Sequence, residues 1–313
     1  MAAFIGKRLG LTIFTLIGVS LVVFTMVNII PGDPIAGLVG SEATPAERAV
    51  FRKQFGFSDP LPVQYGRWLS RVARGDFGTS IGQRRKVTAL VKPAVENTLV
   101  LAGISAVLAL VGGTILGTFA AYQRGAWLDR VASGLGMIGV SIAPYWLGLL
   151  LILIFSVQLG WLPASGMYDP QKGQTLVEVL RHALLPAIAA SCAAFGITTR
   201  NVRSAVAAVL NQDYIGVLRA KGLSSPRILV HVLRNAAPTL LTVIGLQVGY
   251  LIAGSVLVET VFSWPGLGRL TYTAIGQRDM AVIQACVLLV ATAFVMSNLA
   301  VDVAQRLFDP RLH

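Results

Sequence analysis

Six long apolar runs dominate this chain and exclude an ordinary soluble fold. They cover residues 9–30, 97–122, 131–159, 182–202, 240–261 and 281–303. The hydrocarbon core of a bilayer is about 30 Å thick, and about 20 residues of α-helix cross it. Of the 313 residues, 55% are hydrophobic and 13% are charged, a balance that soluble domains do not reach. The sequence therefore predicts an all-α polytopic membrane protein with six transmembrane helices.

The first apolar run could be mistaken for a signal peptide, because Lys7 and Arg8 precede it. It is too long for the apolar part of a signal peptide, and Pro31 and Gly32 follow it in place of a small-residue cleavage site. We therefore predict that residues 1–30 form a retained N-terminal transmembrane helix. The further divisions predicted are an extracytoplasmic segment over 31–96, a five-helix membrane domain over 97–306 and a cytoplasmic tail over 307–313. Within the extracytoplasmic segment, Thr44 and Pro45 are expected to begin an amphipathic helix that ends at Gly56.

The lysine and arginine residues of the short loops set the predicted orientation. One side of the membrane holds Lys7, Arg8, Arg124, Arg130, the cations of 200–234, Arg306 and Arg311, and the other side holds Lys172, Arg181, Arg269 and Arg278. Cytoplasmic loops carry the excess of Lys and Arg, so both termini are predicted to be cytoplasmic. The basic 31–96 segment is placed outside, because loops longer than about 60 residues largely escape this rule. A cysteine at Ser58 should then be accessible to an impermeant thiol reagent.

The net charge of +12 does not indicate a nucleic-acid partner. The cations lie between apolar runs, and no basic stripe with interleaved aromatic side chains is present. We therefore expect a lipid bilayer, and no nucleic acid, around this chain.

The segment 204–238 is a polar, basic island between two apolar runs. Apolar residues recur at helical spacing over 205–221, and Gly222 follows where a left-handed helix cap is expected. Ser225 is the expected N-cap of a second helix, with Pro226 at its first position. The two short amphipathic helices would lie at the membrane surface, with Arg227, His231 and Arg234 on one face. A β-branched residue at Gly222 is expected to fill the tight cap between them. The alternative is a basic loop that anchors to lipid headgroups.

Two phrases of this island, Leu218-Arg219-Ala220-Lys221-Gly222-Leu223-Ser224 and Leu233-Arg234-Asn235-Ala236, resemble the coupling loop of binding-protein-dependent ABC importer permeases of the peptide-importer branch. The resemblance implies the transmembrane domain of a type I ABC importer, with an extracytoplasmic insertion after the first helix, and a coupling loop that fits a cleft in an ATPase subunit. The implied coupling residues are Asp213, Tyr214, Arg219, Ala220, Lys221, Gly222, Leu223, Arg227 and Arg234. The wider family has Glu-Ala-Ala before the glycine, whereas this chain has Gly216-Val217-Leu218 there.

The outer end of the fifth run carries a second phrase of the same branch, Glu259 to Arg269, with the sequence ETVFSWPGLGR. Proline and two glycines make a tight or re-entrant turn plausible, and irregular backbone at that depth is tolerated only inside protein or beside a cavity. The candidate gate residues are Glu259, Trp264, Pro265 and Gly266. The alternative is a simple helix stop with Trp264 as an interfacial anchor.

Polar residues within the apolar runs are the candidates for a translocation path, because they tend to face a bundle interior or water. Most of these polar residues lie near the end of a run. The three candidates are Gln247, Asn298 and Ser141, which lies close to Pro144. No charged residue lies in the middle of a run, which argues against a proton- or sodium-driven carrier. Glycines such as Gly113, Gly117 and Gly136 are expected to permit close helix packing.

No motif for chemistry is present: the sequence lacks a phosphate-binding loop, HExxH and GxSxG. The resemblance implies a non-catalytic permease subunit of the bacterial inner membrane, with ATP and Mg²⁺ on one or two partner ATPase subunits. It also implies a paralogous permease and an extracytoplasmic substrate-binding protein. The expected cargo is di- or oligopeptides; nickel, glutathione, haem or another small solute is the alternative, and a secondary transporter is a remote one.

Overall fold

The computed structural model describes residues 2–29 and 59–308. The predicted turn at Pro31, the helix over 44–56, Ser58 and the tail beyond 308 lie outside the described residues. The α-helices of the described part, in chain order from α1 to α12, are Ala2–Ile29, Leu61–Ala73, Val87–Val107, Gly113–Tyr122, Trp127–Ser141, Pro144–Leu151, Leu176–Leu210, Asp213–Ala220, Ser225–Gly254, Val256–Val261, Leu267–Gly276 and Met280–Phe308. Two π-helical segments, Leu108–Gly112 and Ile152–Gln158, continue α3 into α4 and extend α6.

Five of the described helices or helix runs are long and apolar enough to cross a membrane, and a bent pair is a sixth candidate if its two halves count as one span. The five are Gly6–Met26, Val87–Tyr122, Leu176–Leu210, Leu240–Val261 and Met280–Val303. All-α membrane architecture is therefore confirmed. The helix of the second span begins at Val87 rather than at residue 97, so it extends from the membrane domain into the predicted outer segment.

The third predicted span is not one straight helix. Its two halves, α5 and α6 with the following π segment, meet at an angle of 106°. Ile142 and Ala143 both have extended backbone before Pro144, as expected because proline disfavours helical geometry in the residue that precedes it. The expectation of a continuous 131–159 helix is wrong for this reason.

Helix α7 is the centre of the bundle and packs against α3, α4, α5, α6 and α9. Glycines permit its closest contacts, as predicted. A Cβ atom on Gly117 would lie 2.6 Å from the carbonyl oxygen of Thr199, and one on Gly196 would lie 2.4 Å from that of Gly136. Gly134, in contrast, has no neighbouring atom within 4 Å of such a Cβ. The small residues therefore decide how tightly α4 and α5 approach α7.

Helices α1 and α2 lie at the edge of the bundle. Helix α1 packs along α12, and Arg8 forms an ion pair of 2.6 Å with Asp302. Helix α2 is amphipathic, with one apolar stripe. This stripe places Tyr65 against Phe24 of α1, and the Tyr65 hydroxyl lies 2.8 Å from that of Ser20.

Candidate functional site

The predicted coupling segment forms helix α8, a tight turn and the beginning of α9. Gly222 has φ +77°, which confirms the predicted left-handed cap. The amide of Leu223 donates to the carbonyl of Leu218 at 3.2 Å, and the amide of Gly222 donates to that of Arg219 at 2.9 Å. These bonds satisfy carbonyls at the end of α8 and reverse the chain direction within two residues.

An apolar side of this segment holds it against the bundle. Ile215, Ile228 and Val232 are buried in one hydrophobic cluster with Val202 and Val206 of α7. A polar bond adds to this attachment, because the Asn235 side-chain amide donates to the Tyr214 hydroxyl at 2.8 Å. The two helices therefore form one packed unit at the end of α7 rather than a loose loop.

The opposite side of this unit is exposed and presents cations beside apolar side chains. The exposed predicted residues are Asp213, Arg219, Ala220, Lys221, Gly222, Arg227 and Arg234, whereas Tyr214 and Leu223 are half-buried. Val217 is 54% exposed and Val230 is 49% exposed. We call the exposed residues of 213–234 the coupling surface. Its mixture of apolar and cationic groups is suited to docking into a partner of complementary shape and charge.

Three details of the coupling segment differ from the predictions. The expected helix over 205–221 is broken, because α7 ends at Leu210 and α8 begins at Asp213. The second helix is not short, since α9 continues through Pro238 to Gly254, and its N-cap is Ser224 rather than Ser225. A Cβ atom on Gly222 would meet no atom within 4 Å. The expected steric clash at Gly222 is therefore wrong, and only its backbone conformation restricts the residue.

At the other end of the bundle, Glu259 is fully buried at the junction of three helices. The hydroxyl groups of Thr98 and Ser255 donate to its Oε1 at 2.8 and 2.9 Å. The amides of Gly268 and Arg269, at the start of α11, donate to its Oε2 at 2.7 and 3.3 Å. One carboxyl group thus joins α3, α10 and α11.

The turn that follows Glu259 is also locked to α3. Trp264 is fully buried, and its indole nitrogen donates to the carbonyl of Asn97 at 2.9 Å. The side-chain amide of Asn97 donates in return to the carbonyl of Pro265 at 3.0 Å. A Cβ atom on Gly266 would lie 2.5 Å from the Glu259 carboxyl carbon, so no larger residue fits there without a shift.

Trp264 is therefore not the interfacial anchor that the alternative interpretation required. Its side chain lies inside the protein with Leu101, Met167 and Ala183. The tight turn is confirmed, and Ser263 within it has φ +51°. A gating role for Glu259, Trp264, Pro265 and Gly266 stays a prediction.

The three candidate path residues lie in different surroundings. Ser141 is exposed beside the bend, where its hydroxyl donates to the carbonyl of Met137 at 2.9 Å. Gln247 is 7% exposed, and its Oε1 has no hydrogen-bond partner among the described residues. Asn298 lies near α9, since its Oδ1 is 3.6 Å from the Cβ position of Gly249. The structure places Gln247 and Asn298 on the adjacent helices α9 and α12, and Ser141 apart from them.

Two polar contacts were not predicted from the sequence. Arg203 of α7 donates through Nη2 to Asp129 of α5 at 2.8 Å and also through Nε, and the amide of Gly125 donates to Asp129 at 3.0 Å. Ser80 and the amide of Gly82 both donate to the buried side chain of Asp279. The signal that could have indicated this contact is Asp129, the one acidic residue between the second and third apolar runs, together with Arg203 just after the fourth run.

Comparison with known proteins gives matches over the whole chain. Residues 113–313 match the family described as the binding-protein-dependent transport system inner membrane component, and residues 1–108 match its N-terminal region. The chain is 39% identical over 332 residues to the di/tripeptide transport system permease protein DppB of Pseudomonas aeruginosa. It is 39% identical over 313 residues to the glutathione transport system permease protein GsiC of Salmonella typhimurium, and 37% identical over 314 residues to the oligopeptide transport system permease protein AppB of Bacillus subtilis. Each alignment covers 100% of this chain and 99% of the relative.

A solved structure supports the fold. A chain of the methionine ABC transporter MetNI in an inward-facing conformation superposes with a TM-score of 0.56 at 21% identity. The match covers 70% of this chain and 96% of that chain. At this identity the likeness concerns the fold alone, and it agrees with the predicted type I importer transmembrane domain.

Proposed function

Because this chain belongs to the family of binding-protein-dependent transport system inner membrane components, we propose that it forms half of the translocation path of an ATP-driven importer of short peptides. The chain itself performs no catalysis. ATP and Mg²⁺ bind to separate ATPase subunits, and closure of those subunits moves the coupling surface and hence the bundle.

The observation that carries this proposal is the coupling surface. Helix α8 is firmly packed on the end of the central helix α7 through Ile215, yet its outer side leaves Val217 and the cations Arg219 and Lys221 exposed. A rigid, partly apolar projection at the end of the central helix can transmit a push from a docked subunit to the whole bundle. Lipid headgroups could bind the cations, but they would not transmit such movement.

The proposed assembly contains a paralogous permease, one or two ABC ATPase subunits and an extracytoplasmic substrate-binding protein. We place both termini, and therefore the coupling surface, in the cytoplasm, since the short loops on that side carry most of the Lys and Arg residues. The substrate-binding protein then meets the opposite end, where Glu259 and Asp279 fix the outer turns.

Short peptides are the proposed cargo, and glutathione is the second candidate. The identity of this chain to the di/tripeptide permease and to the glutathione permease is 39% in both cases. Glutathione is itself a tripeptide, so the two candidates share a free amino group, a carboxylate and amide bonds. Nickel complexes and haem are the remaining alternatives to be compared.

Purification of the chain from its own membranes in a mild detergent tests the proposal. We expect an ABC ATPase and a second permease to co-purify, and the reconstituted complex to hydrolyse ATP faster with its binding protein and di- or tripeptides. Glutathione, a nickel complex and haem are compared in the same assay. A chain that purifies alone as a stable protein would contradict the proposal.

A matched pair of substitutions tests the coupling surface within that experiment. Val217→Arg should remove the ATPase from the purified complex, because a fifth cation would occupy an apolar docking position. The control is Val177→Arg at the outer end of α7, where the side chain is 73% exposed. This variant should retain the ATPase. Equal retention by both variants would show that the ATPase does not dock on Val217.

A further inference from the structure

A hairpin at the outer end of the bundle presents three consecutive cations. Residues 77–86 reverse direction through a bond of 2.8 Å from the amide of Ser80 to the carbonyl of Arg85, and Thr79 pairs with Lys86. Arg84 follows its turn, Arg85 and Lys86 lie on the returning arm, and all three are exposed. None of these three side chains forms an ion pair with an acidic residue of the described ranges 2–29 and 59–308. We call these three residues the basic tip.

The hairpin is fixed to the bundle, so the basic tip is held in a defined place. The Ser80 hydroxyl and the Gly82 amide both donate to Asp279, which is 1% exposed. The other oxygen of Asp279 accepts from the amide of Val282 at the start of α12. Asp279 is therefore engaged on both sides, and it is unable to serve as an exposed counter-charge for the tip.

The basic tip lies above the membrane surface rather than within the headgroup layer. Helix α3 begins at Val87, directly after the tip, and its exposed positions over 87–96 include Lys92 and Glu96. From Leu99 onward its exposed positions are apolar. The intervening ten or so residues correspond to about 15 Å of helix. The polar layer of a bilayer is only about 5–8 Å deep on each side, so the tip extends beyond it.

We propose that the basic tip is a docking site for an acidic surface of the soluble substrate-binding protein, and that it guides this protein onto the outer face of the transporter. The proposal rests on the proposed function and adds the residues and the charge of the contact. A fixed cluster of like charges steers an oppositely charged partner and sets its orientation, even where each exposed pair contributes little to final affinity.

The test measures ATP hydrolysis by the complete transporter in lipid nanodiscs as the concentration of its binding protein is raised. Arg84→Glu combined with Arg85→Glu should increase the half-saturating concentration about tenfold at low ionic strength. The difference should shrink as salt rises from about 0.01 M to about 0.1 M, since the screening length falls from about 30 Å to about 10 Å. Arg84→Lys combined with Arg85→Lys keeps the charge and should behave like the unchanged protein.

The matched control is Arg71→Glu combined with Arg74→Glu, which makes the same charge change at exposed positions on α2. This control should leave the half-saturating concentration within about twofold. An equal increase in the half-saturating concentration for both double variants would overturn the proposal. The effect would then come from the overall charge of the protein and not from the basic tip. An unchanged half-saturating concentration in both double variants would also overturn it. So would a loss of binding to anionic vesicles without any change in the half-saturating concentration. If the unchanged complex does not respond to any binding protein, the proposed function itself fails.

Discussion

Glu259 determines the geometry of the outer turn through its hydrogen bonds. Its four donors come from α3, from the start of α10 and from the first turn of α11. Gly266 leaves space for the carboxyl group, since a Cβ atom there would lie 2.5 Å from it. The residue therefore acts as a fixed junction, and any gate at this end would have to move α3, α10 and α11 together or break these bonds.

We expect Glu259→Ala to lower stability strongly and Glu259→Gln to lower it little. Alanine would leave the buried Thr98 hydroxyl and Gly268 amide without their carboxylate acceptor, and each such group costs about 1–3 kcal/mol. The Ser255 hydroxyl could still donate to the carbonyl of Ile252. Glutamine can keep its oxygen toward the amides of Gly268 and Arg269, while the hydroxyls of Thr98 and Ser255 turn to accept from its amide nitrogen. The measurement is the midpoint of thermal unfolding in detergent.

Glu96→Ala is the control, because Glu96 is exposed on α3 one residue before Asn97. This variant should unfold at nearly the temperature of the unchanged protein. A Glu259→Ala protein as stable as the control would show that the four hydrogen bonds contribute nothing to the outer turn.

Individual residues were predictable from the sequence only where the cause is local. Gly222 follows the last cations of a helical pattern, and its left-handed conformation could be expected from that position alone. Glu259 was identified as a candidate by the sequence motif ETVFSWPGLGR, but its hydrogen-bond partner Thr98 lies 161 positions away. No local pattern connects the two, and the same is true of Asp129 and Arg203, which are 74 positions apart.

At the scale of elements, the turn between α8 and α9 makes the coupling segment rigid. The backbone at Gly222 is left-handed, and Leu223 packs against the cluster that contains Ile215 and Ile228. The angle between the two helices therefore depends on one residue whose conformation is unfavourable for any side chain with a branched Cβ.

We expect Gly222→Val to reduce peptide uptake per ATP hydrolysed, with insertion into the membrane unchanged. Left-handed backbone costs a residue with a Cβ atom about 1–2 kcal/mol, and the turn can relieve that cost by changing the angle of α8. Gly222→Asn should retain near-normal coupling, because asparagine tolerates this conformation. Uptake and ATP hydrolysis are measured in the same proteoliposomes.

Gly125→Val provides the comparison, since Gly125 has φ +83° and no atom within 4 Å of a Cβ. It lies in the turn between α4 and α5, outside the coupling segment, so this variant should lose some stability but keep its coupling. If Gly222→Val and Gly222→Asn transport equally well per ATP, the backbone argument for this turn is wrong.

The extent of elements was less predictable than their existence. Each apolar run was recognised, because length and hydropathy are sufficient for that. Hydropathy does not change at Pro144, however, so a run of 131–159 conceals a bend of 106°. Similarly, the polar face of α9 over 225–238 suggested a separate short helix, although the backbone continues without interruption to Gly254.

At the scale of the whole molecule, the proposed orientation assigns a function to each end of the bundle. In that orientation the coupling surface would lie at the cytoplasmic end of α7, and the basic tip and the Glu259 junction at the outer end. The Lys and Arg residues of the short loops support this orientation. The described part of the predicted extracytoplasmic segment is also basic, however, with Arg71, Arg74 and the basic tip. Charge alone therefore leaves the orientation to be measured directly.

Single cysteines at Gln174 and Ser204 measure it, because both residues are exposed and lie at opposite ends of α7. The background is Cys192→Ser and Cys286→Ala, which removes the two native thiols. In intact cells an impermeant maleimide should label a cysteine at position 174 and spare one at position 204, whereas both should react in opened membranes. The reverse pattern would place α8 and its cations outside the cell, where no ATP-driven subunit could reach them. Labelling of both positions only after opening would instead show that the start of α7 is inaccessible from outside, and a soluble binding protein could then not reach that end of the bundle.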